Sequence, residues 1–185
     1  MIRVYQKVTP LKVLRHFFDH PDEEFYLREL ARLLGTSPMT VKRSLDLLVS
    51  DLLILRKERK NQILYKANVS SQAFRFAKVS YNLSMLESAK VVETLLDNMP
   101  GIISIILYGS FAKGENDRHS DLDLLVISMA KKVRPMKIGE RLGMDVNVMN
   151  FTDAQWTAQA KENRAFYLDV ITEGIVLHGT RPVIE

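Results

Sequence analysis

Ile102-Ile103-Ser104-Ile105-Ile106-Leu107-Tyr108-Gly109-Ser110 is a largely β-branched apolar run that stops on a glycine and a serine. It reads as a buried strand, with the glycine as the turn that closes it. Phe111-Ala112-Lys113-Gly114 continues as a helical turn, and Glu115 to Ser120 is polar loop. With ten residues between it and Ser110, Asp121-Leu122-Asp123 opens a second apolar strand, Leu124-Leu125-Val126-Ile127. Carboxylates two residues apart on a strand project from one face.

Outward from that pair, Met144-Asp145-Val146-Asn147-Val148-Met149 alternates as a third strand with Asp145 in its interior, after a helix expected through Met136 to Leu142. An acid inside a strand calls for a partner. Three carboxylates on neighbouring strands repel one another unless a multivalent cation lies between them, so the set is costly as scaffold and suited to magnesium. Each piece alone has a plainer reading: Ser110 as a helix cap, Asp121 and Asp123 as solvated acids. Their ordered combination resists it. Lys113, Arg118 and His119 read more simply as solvated loop groups than as phosphate contacts. Lys131, Lys132, Arg134, Lys137 and Arg141 read as a solvated helix face before they read as a guide for a polyanionic acceptor.

Gly109-Ser110, Ala112, Gly114, Ser120-Asp121-Leu122-Asp123-Leu124 and Asp145 together resemble the signature of the DNA polymerase beta-like nucleotidyltransferases, especially their minimal form, over about residues 95 to 180. The ending Ile171-Thr172-Glu173-Gly174-Ile175-Val176-Leu177 resembles the close of such domains. The resemblance implies an α/β (α+β) domain with a short mixed sheet flanked by helices. It also implies Mg²⁺-dependent transfer of a nucleoside monophosphate, expected to be AMP, from a nucleoside triphosphate to a hydroxyl. By the same resemblance, Asp121 and Asp123 bridge two Mg²⁺ ions, Asp145 completes the ion on the nucleophile side and serves the acceptor hydroxyl, and Gly109 and Ser110 hold the β- and γ-phosphates. The acceptor is a protein, an RNA end or a small molecule. Similar small transferases paired with a toxin make protein modification one option. Helices begin at Thr152 and Phe166, with Trp156 as core.

The first seventy residues have a different character. Leu11, Val13, Leu14, Phe17 and Phe18 recur at helical spacing before the turn Asp19-His20-Pro21-Asp22. A second helix is expected from Phe25 to Leu34, stopped by Gly35, and a third from Ser37 as N-cap with Pro38 behind it. Two helices joined by Gly35-Thr36-Ser37 form a helix-turn-helix, whose second helix would present Met39, Thr40, Lys42, Arg43 and Asp46. Leu53 to Arg56 and Ile63 to Lys66 flank a charged hairpin containing Arg59 and Lys60. This half resembles a winged helix domain over about residues 8 to 68. Thr40, Lys42, Arg43, Arg59 and Lys60 are therefore the expected contacts to double-stranded DNA. Some winged helices make only protein contacts, and lysines on a hairpin also discourage edge pairing. His16 and His20 read as ordinary helix and turn residues rather than ligands.

Charge follows the same division. Residues 1–70 hold 13 Lys/Arg against 8 Asp/Glu, while residues 71–185 hold 13 against 14, so the basic excess belongs to the first part. Cysteine is absent, which excludes disulfides, thiolate chemistry and Cys-liganded zinc. No apolar run is long enough for a membrane span and the first residues lack a secretory pattern, so a cytoplasmic protein with no membrane partner is expected.

Between the two parts, Phe74, Ala77, Tyr81, Met85, Ala89, Val92, Leu96 and Met99 predict one long helix, with a break expected, if anywhere, near Ser80 to Ser84, and Pro100-Gly101 ending it. It could pair two copies as a homodimer. The organisation expected is a winged helix-turn-helix domain at 1–69, a connecting helix at 70–99 and a nucleotidyltransferase domain at 100–185. The competing reading is a DNA-binding transcriptional regulator or antitoxin whose transferase-like half only senses nucleotide or metal.

Overall fold

The computed structural model describes residues 2–129 and 138–184. The chain divides into two compact units, Met1–Ser84 and Met85–Glu185. No helix among the described residues is long and apolar enough to cross a membrane.

The first unit begins with α1 (Ile2–Lys7) and α2 (Thr9–Asp19), followed by β1 (Glu24–Tyr26), α3 (Leu27–Leu33) and α4 (Pro38–Ser50). A hairpin of β2 (Ile54–Arg59) and β3 (Gln62–Ala67) then leads into α5 (Gln72–Ser88). The three strands form an antiparallel sheet in the order β1-β3-β2. The helix expected from Phe25 starts only at Leu27, because Phe25 and Tyr26 pair with Tyr65 and Leu64 of β3. Phe25 also packs edge-on against Phe17, a tertiary contact that the helical spacing of the following leucines hides. Glu29 accepts a hydrogen bond from the Tyr26 amide at 3.2 Å and so marks the start of α3. Ser37 caps α4 by accepting from the Thr40 amide at 3.2 Å, with Pro38 behind it as the sequence leads one to expect.

Strands β2 and β3 run further than their apolar residues, through Lys57-Glu58-Arg59, since the backbone ladder needs no buried side chain there. Lys60 and Asn61 both have positive φ, the two-residue turn whose twist suits a tight hairpin. Val13, Phe17, Phe18, Leu30, Val41 and Leu45 are fully buried in one core. Each contributes roughly 1.5–3 kcal/mol relative to exposure.

The helix expected over 70–99 is two, α5 and then α6 (Val91–Asn98). The interruption falls at Lys90, which adopts φ 54° and ψ 44°, rather than near Ser80 to Ser84. A left-handed lysine costs about 1–2 kcal/mol, and the fully buried Val91 and Leu95 that follow it offset that cost. No glycine or proline marks the site, so the break originates in packing.

In the second unit β4 (Ile102–Tyr108) is followed by α7 (Gly109–Lys113), β5 (Leu122–Ser128), α8 (Ile138–Leu142) and β6 (Val146–Phe151). Next come α9 (Asp153–Glu162), α10 (Arg164–Glu173) and β7 (Ile175–Gly179). The sheet order is β6-β5-β4-β7, with β5 and β6 parallel and the other pairs antiparallel. Of the basic run, Lys131, Lys132, Arg134 and Lys137 lie outside the described residues, as does the start of the helix expected from Met136. Trp156 is fully buried against Ile106, Leu125 and Ile127, and its indole N–H donates to the Pro182 carbonyl at 2.7 Å.

His16 lies in the first unit between His20 and Phe25, with ring centroids 4.8 and 4.6 Å away. Its Nε2 is buried and has no hydrogen-bond partner. Burial, reinforced by His20, holds its pKa below the ordinary 6.5. The unfolded chain therefore binds the proton more readily, so this contribution to stability is complete above 6.5 and is lost as pH falls below it. We expect the urea midpoint of the first unit's transition to drop between pH 7.5 and pH 5.5. His16→Phe should flatten that slope, and an unchanged slope would remove His16 as its source.

Candidate active site

The carboxy end of β4 decides the geometry. Tyr108 leaves the strand extended, and Gly109 turns the chain with φ +71° into α7. A Cβ on Gly109 would stand 2.6 Å from Asp123 Oδ2, so backbone and carboxylate approach at a distance only glycine permits. Buried Phe111 and Ala112 anchor the short helix, and Gly114 at φ +69° ends it. Lys113 donates to Asp169 of α10 at 2.5 Å. That bond, chiefly, raises the pKa of Lys113. Lys113 thus ties the turn to the helical layer instead of standing as a free loop cation.

The loop after α7 braces itself. Asp117 Oδ1 accepts from the His119 amide at 2.8 Å and from the Ser120 hydroxyl at 3.0 Å, while Ser120 Oγ accepts from the Asp117 amide at 2.9 Å. This loop delivers Asp121 just ahead of β5, with Asp123 in the strand opposite Tyr108. Leu122 between them points the other way and is fully buried, which commits both acids to the face that carries Leu125 and Ile127 further along.

Asp145 is not inside a strand. It sits immediately before β6, and its backbone carbonyl accepts from the Leu122 amide at 2.9 Å as the first rung of the parallel ladder. That rung places it beside the start of β5. Asp121 and Asp145 line one cleft of about 840 Å³ with Arg118, His119, Glu140 and Met144. Arg118 Nε donates to His119 Nε2 at 3.0 Å at its exposed rim.

Asn147, two residues further along, joins the two β5-side acids. Its Nδ2 donates to Asp123 Oδ1 at 3.2 Å and to Asp121 Oδ2 at 3.4 Å. Sequence reasoning passed over Asn147, whose only signal was a polar residue on the same strand face as Asp145. The structure therefore gathers Asp121 and Asp123 around one amide, with Asp145 in the same cleft as Asp121. Among the described residues no three acidic or imidazole side chains converge closely enough to hold a metal ion.

Tyr108 completes the constellation. Burial, with the Asp123 and Asp169 carboxylates beside it, pushes its hydroxyl up to about 12, so it stays protonated at neutral pH. Its ring packs edge-on against Phe166 at 5.6 Å.

In the first unit Thr40, Lys42 and Arg43 are exposed on α4, and Arg59 and Lys60 are exposed at the tip of the hairpin. The Lys42 ammonium lies 2.6 Å from Asp46. Thr40 Oγ1 and Ser37 Oγ share a hydrogen bond at 2.8 Å.

Comparison with known proteins adds three findings. The nucleotidyltransferase domain family matches residues 88–178. The protein adenylyltransferase MntA of Shewanella oneidensis is 27% identical over 105 residues, covering 54% of this chain and 70% of that protein. A crystal structure of a toxin-antitoxin with AMP-PNP matches with a TM-score of 0.40 and 26% identity, covering 50% of this chain and 73% of that one.

Gly109→Ala tests the close approach. A left-handed alanine costs about 1–2 kcal/mol, and the new methyl must also displace the Asp123 carboxylate. The melting temperature of the second unit should fall by at least about 4 °C. An unaltered melt would show that Gly109 does not adopt this conformation.

Proposed function

We propose that this nucleotidyltransferase, whose transferase domain spans residues 88–178, moves a nucleoside monophosphate from a nucleoside triphosphate to a hydroxyl, with adenylate the group transferred. The likeness to a protein adenylyltransferase supports both adenylate and a protein hydroxyl as the acceptor class. One observation carries the reading. The glycine turn after β4 lies against the Asp123 carboxylate, and Asp123 shares one amide partner with Asp121.

The donor set suits magnesium. Asp121 and Asp123 direct oxygens at one shared amide N–H donor, Asp145 lies in the cleft that Asp121 lines, and no thiolate exists in the chain to select a softer metal. Asp121, Asp123 and Asp145 would hold two Mg²⁺ ions, which when bound neutralise triphosphate charge and acidify the acceptor hydroxyl. Gly109 leaves room for backbone amides to approach the β- and γ-phosphates, and the Ser110 hydroxyl donates to them. Lys113, held by Asp169, keeps that turn in place. Tyr108, protonated throughout, can donate but cannot accept the acceptor's proton. In this reading Asp145 receives it.

The first unit is a winged helix domain in this reading, with α4 as the helix that enters the major groove of double-stranded DNA and the β2–β3 hairpin as the wing. Exposed Thr40, Lys42, Arg43, Arg59 and Lys60 supply the contacts, and the basic excess of residues 1–70 supports them.

Two experiments test these assignments. With Mg²⁺ and each α-labelled nucleoside triphosphate, label should pass to an acceptor in host protein fractions. Asp121→Ala and Asp123→Ala should each reduce transfer at least about a hundredfold, because removing a ligand forfeits several kcal/mol of charge stabilisation. Transfer that persists in both variants would sink the site assignment, and label confined to RNA would replace the protein acceptor. Affinity for duplex DNA should fall steeply with salt, and Arg43→Ala should lower the slope of log K against log salt by about 1. A salt-independent or absent interaction would end the DNA reading.

A further inference from the structure

Asn147 occupies the register position opposite Asp123 on the parallel pair β5–β6, and it is exposed. Asparagine is a poor strand former, so its place in β6 asks for another reason. What it does is chemical. A primary amide nitrogen carries two hydrogens, and here that nitrogen reaches Asp123 Oδ1 at 3.2 Å and Asp121 Oδ2 at 3.4 Å.

Two carboxylates aimed at a common point repel each other, and a donor shared between them offsets the repulsion. The same N–H groups oppose a cation arriving at that point, because their positive ends face it. We propose that Asn147 is a positioning residue of the metal site: it holds Asp121 and Asp123 together in the metal-free enzyme and is the group a divalent ion must displace. The proposal rests on the reading of Asp121 and Asp123 as ligands of that ion. Asn147 thereby keeps the two acids aligned while the site is empty and lowers its affinity for a bare divalent cation.

The test uses Mn²⁺ as probe, with the full chain and no nucleotide, following free Mn²⁺ by its paramagnetic resonance. Asn147→Val keeps a strand-forming residue without a donor, and Asn147→Ala covers the case in which valine does not fold. Both should bind Mn²⁺ about five- to tenfold more tightly than the native protein, the scale of two charge-assisted hydrogen bonds at an exposed position. Both should also melt lower than native without metal and recover on saturation with Mn²⁺. Equal or weaker Mn²⁺ binding in the folded variants overturns the role given to Asn147. Failure of the underlying reading looks different: the native protein then binds no Mn²⁺, or binds it as well when Asp121→Asn and Asp123→Asn are combined.

Discussion

The pairing of Tyr108 with Asp123 across the antiparallel strands β4 and β5 is the constraint on which the second unit turns. It sets the end of one strand against the beginning of the other, so a turn and a carboxylate must share a space too small for a side chain. Gly109 resolves the conflict by having none, and its left-handed backbone swings α7 aside. Every other element of the site is positioned relative to this corner. Asp121 follows from the alternation of β5, Asp145 from the first rung of the parallel ladder, and Lys113 from the turn that Gly109 begins.

Electrostatics at the corner are arranged in opposite senses on its two sides. Lys113 and Asp169 neutralise each other beside the turn, so that part carries its own counter-charge. Among the described residues, the Asp121 and Asp123 pair shares the dipole of an uncharged amide. For the proposed transfer reaction that difference is useful: the scaffold stays fixed while the carboxylates remain open to positive charge.

Much of this could be read from the sequence where chemistry and local pattern coincide. The apolar run ending at Tyr108, the glycine after it, the alternation through Asp121 and Asp123 and the burial of Trp156 all announce themselves over a few residues. Legibility failed where a remote contact decides. Phe25 and Tyr26 belong to a strand because β3 lies beside them, although the leucines that follow continue a helical rhythm. Lys90 interrupts a helix at a residue with no intrinsic reason to do so. Asp145 falls ahead of its strand, since the ladder begins with its carbonyl. Asn147 escaped notice because a neutral residue carries no sign of function until its neighbours are known.

The sheet order has a consequence for how the chain reaches this state. β4 lies between β5 and β7, yet β7 is the last strand of the sheet to leave the ribosome. Domains generally fold as units during synthesis, the N-terminal one first, and all three strands of the first unit precede residue 70. The first unit can therefore be complete while Ile102 to Tyr108, the most apolar strand of the second, still shows an unpaired edge. For that interval the nascent protein carries a folded head and an adhesive, half-built sheet, a state in which a chaperone has something to hold.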